Sequence, residues 1–231
     1  MKVNISQVKD SYFSLVFLHG WGVDEKSLEC IKKLFETKYD CYLITLSGFD
    51  KPLSKPYTIE DYIFEINNYI CKLKNVVIIG HSFGGKIALM LKRLYPKYIV
   101  IALAPSIIKN PFSFKIFFKI RLYKILKKIS LPIPNFLKGS KDYRKLSGNL
   151  KKTFLLVHHS YLNKKQLKEL EKCLIIVFKQ DKEVNYKKIK KLSKINSKIV
   201  LLSFEGNHFA YLDSLLDIYH NIYGLLKEQY E

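Results

Sequence analysis

Apolar positions along the chain come in two rhythms. Short unbroken runs fill residues 14–18, 41–46, 76–79, 98–103, 174–178 and 198–203. Most are rich in β-branched or aromatic residues, as strands covered on both faces are. Between them, over 25–37, 58–72, 83–94, 186–195 and 211–227, apolar residues recur at the spacing of one helix face. The segment at 58 opens Thr58-Ile59-Glu60-Asp61, an N-cap residue with acids in the first turn. Strand alternating with helix predicts an α/β fold, a mostly parallel sheet of about six strands covered by helices, in one domain over residues 1–231.

The alternation breaks once. Residues 106–170 contain no strand–helix–strand unit. They carry a basic, aromatic helical stretch at 112–129, the breaker run Leu131-Pro132-Ile133-Pro134, and a second helical region at 143–161. With no internal repeat and no low-complexity linker, this reads as a small helical cap inserted between two strands of the sheet.

Charge sharpens that picture. The 231 residues carry +20, from 40 basic against 20 acidic side chains, and only Arg93, Arg121 and Arg144 are arginines. Abundant Lys, Ile, Asn, Tyr and Phe are what an AT-rich genome produces, but such a bias spreads charge evenly. Between Lys109 and Lys152, 13 basic residues face the single acid Asp142, so these 44 residues hold +12 of the total. A solvated face is the plain reading of a charge run. The functional readings are a dock for an acidic carrier protein and, less favoured, peripheral contact with a membrane surface. Nucleic acid is not expected, since no reader motif accompanies the lysines. Hydrophobic residues make up 48%, enough for a core. No apolar run approaches the ~18–20 residues of a membrane span, and the stretch 15–18 is too short for a secretion-signal core. Four cysteines without C-x-x-C or metal-ligand spacing predict reduced core or near-core thiols in a cytoplasmic protein.

The chemistry gathers where strands should end. Gly80-His81-Ser82-Phe83-Gly84 follows an apolar run and precedes a helical pattern, the setting of a nucleophile elbow. A serine needs a base oriented by an acid, and in such a fold the acid and the histidine follow later strands in that order. Asp181 is the first acid after the run ending at 178, with Glu183 as its rival; His208 follows the run ending at 203. His158 and His159 lack a following-strand position, and His220 lies within a helix. His19-Gly20-Trp21-Gly22 after the first core run would supply one oxyanion donor, the Trp21 amide, and Phe83 the other. The expectation is a Ser82–His208–Asp181 triad with Trp21 and Phe83 as the oxyanion hole.

These motifs, with Leu46-Ser47-Gly48-Phe49 and Gly206-Asn207-His208-Phe209, resemble the α/β-hydrolase superfamily over nearly the whole chain apart from the cap. The H-G-W-G opening and small cap resemble carboxylesterases of the pimeloyl-[acyl-carrier protein] methyl ester esterase type. Gly139-Ser140-Lys141-Asp142-Tyr143-Arg144 is similar to a segment of small bacterial hydrolases. Thr45 and Ser47 stand where the superfamily usually has Asp and Pro, and its two leading antiparallel strands read as missing or much shortened. The resemblance implies a serine esterase acting on an ester or thioester, with an acyl-carrier-protein-linked methyl ester of biotin precursor synthesis as the specific case. It implies no metal and no organic cofactor. His19, and in the cap Lys124, Lys127, Lys128, Tyr143 and Arg144, are the candidate substrate- or partner-binding residues. The competing classes are a membrane-surface lipase or acyltransferase and a non-catalytic binding module on the same fold.

Overall fold

The computed structural model describes residues 1–108 and 146–228, with residues 121, 126, 128, 132 and 134 of the segment between. The expected basic helix at 112–129 therefore lies largely outside the described residues, as do Lys124, Lys127, Tyr143 and Arg144. Lys128 is helical and exposed.

Seven strands form one sheet: β1 (Lys2–Ser6), β2 (Ser14–Leu18), β3 (Asp40–Thr45), β4 (Val76–His81), β5 (Ile99–Leu103), β6 (Cys173–Phe178) and β7 (Ile199–Phe204). Their order is β1-β3-β2-β4-β5-β6-β7. All neighbours are parallel except β1, which runs antiparallel to β3 with Lys2 opposite Thr45 and Ser6 opposite Cys41. One leading antiparallel strand is thus present, contrary to expectation. Its residues alternate polar and apolar, and Ile5 is 48% exposed. An edge strand with one solvated face shows alternation instead of the apolar run that marks the central strands.

The helices are α1 (Glu29–Phe35, preceded by a 3₁₀ turn at Glu25–Leu28), α2 (Ile59–Ile70), α3 (Phe83–Leu94), α4 (Gly148–His158), α5 (Lys164–Lys168), α6 (Tyr186–Ser193) and α7 (Leu215–Lys227). Thr58 and Asp61 form a reciprocal capping box on α2. The sheet is covered on both sides because its strands alternate between two cores. Val16, Leu18, Ile78 and Ile175 face α2, α3 and α6, while Leu15, Phe17, Ile79 and Ile176 face α1 and α7. Each such fully buried side chain contributes roughly 1.5–3 kcal/mol. Cys41 and Cys173 are buried, Cys30 half-buried and Cys71 exposed, so Cys71 is not the near-core thiol expected of it. Among the described residues no helix is long and apolar enough to cross a membrane.

Strand order fixes where a site can form. β2 connects to β3 on one side and β4 to β5 on the other, so the chain parts between the carboxyl ends of β2 and β4. That crevice is where open α/β sheets hold their ligands. Between β5 and β6 the chain leaves the sheet, and α4 lies against the loop after β3. Asn149 Nδ2 donates to the Leu53 and Ser54 carbonyls at 2.9 Å each, and Thr153 Oγ1 accepts from the Tyr57 amide at 2.7 Å.

Candidate active site

Ser82 stands between β4 and α3 with φ 51° and ψ −105°, left-handed backbone in a residue that is not glycine. Its amide donates to Leu103 O at 2.8 Å, and its carbonyl accepts from the amides of Lys86 (3.0 Å) and Ser106 (3.1 Å), so neighbouring elements hold the strained turn. A β-carbon on Gly84 would collide with the Leu18 carbonyl, and one on Gly80 with the Gly84 carbonyl. Glycine at these two places lets α3 start directly against β2 and β4, which lifts Ser82 into the crevice.

His208 follows β7 and Asp181 follows β6. Asp181 Oδ2 accepts from His208 Nδ1 at 2.7 Å, with the two side chains 1% and 6% exposed. Asp181 Oδ1 accepts from the amides of Glu183 (2.7 Å) and Val184 (2.9 Å). Burial opposes ionisation of this carboxyl, but the His208 hydrogen bond and the two amides prevail and hold its pKa below the ordinary value. With the Nδ1 proton given to Asp181, His208 Nε2 keeps its lone pair. That nitrogen is buried without a hydrogen-bond partner, and Glu183 Oε2 stands 3.4 Å from it on a side chain 65% exposed. The two rival acids thus address opposite edges of the imidazole.

His81 backs this ring. Its Nε2 donates to the carbonyl of His208 at 3.0 Å, and the two ring centroids lie 4.7 Å apart. Burial, reinforced by the nearby His208, pushes the His81 pKa down to about 3, so it stays a neutral strut. Sequence reasoning treated His81 as a passive part of the elbow. A histidine directly before the serine was the available signal, but only the fold brings it against the loop 127 positions away.

On the other side of Ser82, the loop after β2 is pinned by His19. This ring is wholly buried; Nδ1 donates to Gly20 O at 2.8 Å and Nε2 accepts from the Leu46 amide at 3.0 Å. With both nitrogens engaged by main chain, His19 shapes the loop and has none left for a substrate. Gly84 N donates to His19 O at 3.1 Å, tying this loop to the elbow. Phe83 is the first residue of α3, where an amide meets no intrahelical carbonyl. Trp21 lies edge-on to Phe49, Phe83 and Phe154, with centroids 5.1–5.2 Å away.

A cavity of about 410 Å³ opens over these groups. Ser82 and Ser106 line its floor, Trp21, Phe83, Phe154 and Val157 its apolar wall, and Lys86, His158, Lys182 and Glu183 also reach it. Among the described residues, no group of three His, Cys, Asp or Glu side chains converges as a metal site. Asp181 and His208 meet directly, and Ser82, Trp21 and Phe83 share the cavity. An acyl group seated there would meet the Ser82 hydroxyl, with the Asp181-oriented His208 ring just behind the lining residue Glu183, which suits addition to a carbonyl.

Residues 15–161 match the Alpha/beta hydrolase family. Two curated relatives are pimeloyl-[acyl-carrier protein] methyl ester esterases. That of Pseudoalteromonas atlantica is 30% identical over 104 residues, 42% of this chain and 40% of its own length. That of Wigglesworthia glossinidia brevipalpis is 35% identical over 86 residues, 36% of this chain and 32% of its own. The chain thus aligns with only about a third to two fifths of these relatives. Among solved structures, a lipase-esterase related protein from Clostridium acetobutylicum superposes with TM-score 0.72 at 22% identity, over 96% of this chain and 98% of that one. At such identity the likeness speaks for the fold.

Proposed function

The chain belongs to the alpha/beta hydrolase family, and from that premise we propose that it is a serine hydrolase cleaving a carboxylic ester or thioester through an acyl-enzyme on Ser82. The observation that carries this reading is the Asp181–His208 pair, which leaves a buried, unpartnered Nε2 beside the crevice that holds Ser82.

In the proposed cycle Ser82 Oγ adds to the ester carbonyl while its proton passes to His208 Nε2. Asp181 stabilises the resulting imidazolium without taking its proton. The amides of Trp21 and Phe83 receive the oxyanion. The tetrahedral adduct collapses, the alcohol or thiol leaves with the proton from His208, and an ester on Ser82 remains. Water then adds to that ester, gives its proton to His208, and the second collapse returns the acid and the free Ser82 hydroxyl. His81 and His19 hold the two flanking loops. Residues 106–170 serve as a cap, and their lysines, Lys124, Lys127 and Lys128 among them, dock an acidic acyl carrier protein. The names of the two curated relatives support an acyl-carrier-linked methyl ester as the specific substrate.

A fluorophosphonate probe tests the nucleophile: it labels the wild type and leaves Ser82→Ala unlabelled. Equal labelling of the variant would remove Ser82 from the reaction.

A further inference from the structure

Among the described residues three lysines are buried, and two of them have evident reasons to be. Lys32 pairs with Glu36 at 2.5 Å, and Lys92 donates to the carbonyls of Pro96 and Tyr98 at 2.7 Å each. Lys86 differs. It is 3% exposed, lies on α3 four residues past Ser82, and among the described residues donates from Nζ to one carbonyl only, Val157 O at 3.0 Å. The face of Tyr161 lies 5.2 Å away. An ammonium carries three donors, and among the described residues no carboxylate pairs with this one. Burial alone shifts its pKa, down to about 8, with no anion to offset it.

A lysine here is not needed for packing, since a methionine would fill the same space without a buried charge. What distinguishes the place is the cavity, which Lys86 lines together with Ser82. Trp21 lines it too, and its buried indole Nε1 has no hydrogen-bond partner among the described residues. Donor capacity here outruns acceptors. Glu183 is the cavity's acid, but it faces His208 and has Lys182 beside it. The pKa of His158, near Lys86, is lowered by burial, His159 and Lys86 itself. Among the described lining residues Lys86 is thus the one buried cation, set among apolar walls, while Lys182 is exposed.

Resting on the esterase reading above, but with a free acid in place of the carrier-linked acyl chain, we propose that Lys86 is a specificity-determining residue for esters whose acyl part ends in a carboxylate. The Lys86 ammonium pairs with that carboxylate while Ser82 attacks the ester carbonyl. Ser82 and Lys86 line the same cavity of about 410 Å³, so the acid is a short dicarboxylic half-ester.

The test compares kcat/KM for mono-p-nitrophenyl glutarate with that for the uncharged p-nitrophenyl pentanoate. The wild type should favour the anionic ester by tenfold or more. Lys86→Met should lower that ratio about tenfold or more, as loss of a charge-assisted hydrogen bond does, and Lys86→Arg should keep the preference. Glutarate titrated against the fluorescence of Trp21, the chain's single tryptophan, gives a readout free of catalysis; Lys86→Met should weaken binding by a similar factor. Should Lys86→Met not fold, Lys86→Gln takes its place. A wild type that favours the uncharged ester, or a Met variant that keeps the anionic preference, overturns the assignment. If the wild type cleaves neither ester, the esterase reading fails and the titration alone decides Lys86. Glutarate binding lost in the variant upholds its role, and binding retained, or absent from the wild type, overturns it.

Discussion

Asp181 Oδ2 accepts a hydrogen bond from His208 Nδ1 at 2.7 Å, whereas Glu183, two residues on, stands 3.4 Å from the opposite nitrogen. Orientation of the imidazole therefore depends on Asp181, and the two acids separate by experiment. Asp181→Asn should lower kcat at least about a hundredfold, because the imidazole loses the partner that sets its tautomer. Glu183→Gln should change kcat only a few-fold. The same carboxyl is held below its ordinary pKa in the fold, so the stability it contributes is present above the usual carboxylate range and is lost as pH falls through the lowered value. Urea unfolding from pH 7 downward should show a shallower acid-side fall for Asp181→Asn than for the wild type.

In the proposed cycle His81 acts through His208. His81→Ala removes the donor to the His208 carbonyl and opens a gap behind the ring. It should depress kcat about tenfold or more, as loss of precise positioning does, with little change in KM. His81→Gln retains a donor and should recover part of that loss. A change confined to KM would place His81 elsewhere in the mechanism.

The elbow glycines differ in kind from Gly22 in the loop after β2. At Gly84 a methyl group would run into main chain of Leu18 and His19, neither of which can yield. Gly84→Ala should destabilise by upwards of about 3 kcal/mol or fail to give soluble protein. Gly22 has φ +80° with open space around it, so Gly22→Ala should cost only about 1 kcal/mol of backbone strain. Paired urea titrations measure the difference.

Lys86 gives stability a pH signature. Its folded pKa, about 8, lies below the value near 10.4 of an unfolded lysine. Unfolding takes up a proton in the window between them, so this group's penalty is full below pH 8 and relieved as pH rises toward 10.4. The unfolding free energy of the wild type should therefore gain on that of Lys86→Met between pH 8 and 10. A constant difference across that range would mean the amine is not desolvated.

Salt tests the proposed carrier docking. The Debye length shrinks from about 10 Å at 0.1 M to 3 Å at 1 M, which removes steering by exposed lysines. Raising salt should lower kcat/KM for an acyl-carrier-protein ester while sparing a p-nitrophenyl ester. The triple change Lys124→Glu, Lys127→Glu and Lys128→Glu should reproduce the high-salt value at low salt. If neither treatment moves the carrier ester, and the triple variant binds anionic liposomes as the wild type does, the lysines are a solvated face.

The sequence by itself determined the features that repeat locally. Apolar runs and helical spacing marked β2 and α3 at their actual bounds, Ser14–Leu18 and Phe83–Leu94, and the other central strands within two residues. Buried parallel strands announce themselves because both faces must be apolar. The elbow was legible for a similar reason: glycines at 80 and 84 answer a close approach that no side chain permits. Tertiary structure decided what depends on distant segments. β1 is a strand because β3 offers it an edge. The sequence preferred Asp181 to Glu183 only as the first acid after its strand; the fold separated them by turning one inward onto two amides and the other toward Nε2. His19 became a strut only when Leu46 met its ring. Lys86 was one of 40 basic residues. Its burial in a cavity beside Ser82 is set by α4 closing over α3, and a pattern of local periods carries no record of which distant helix will remove a charge from water.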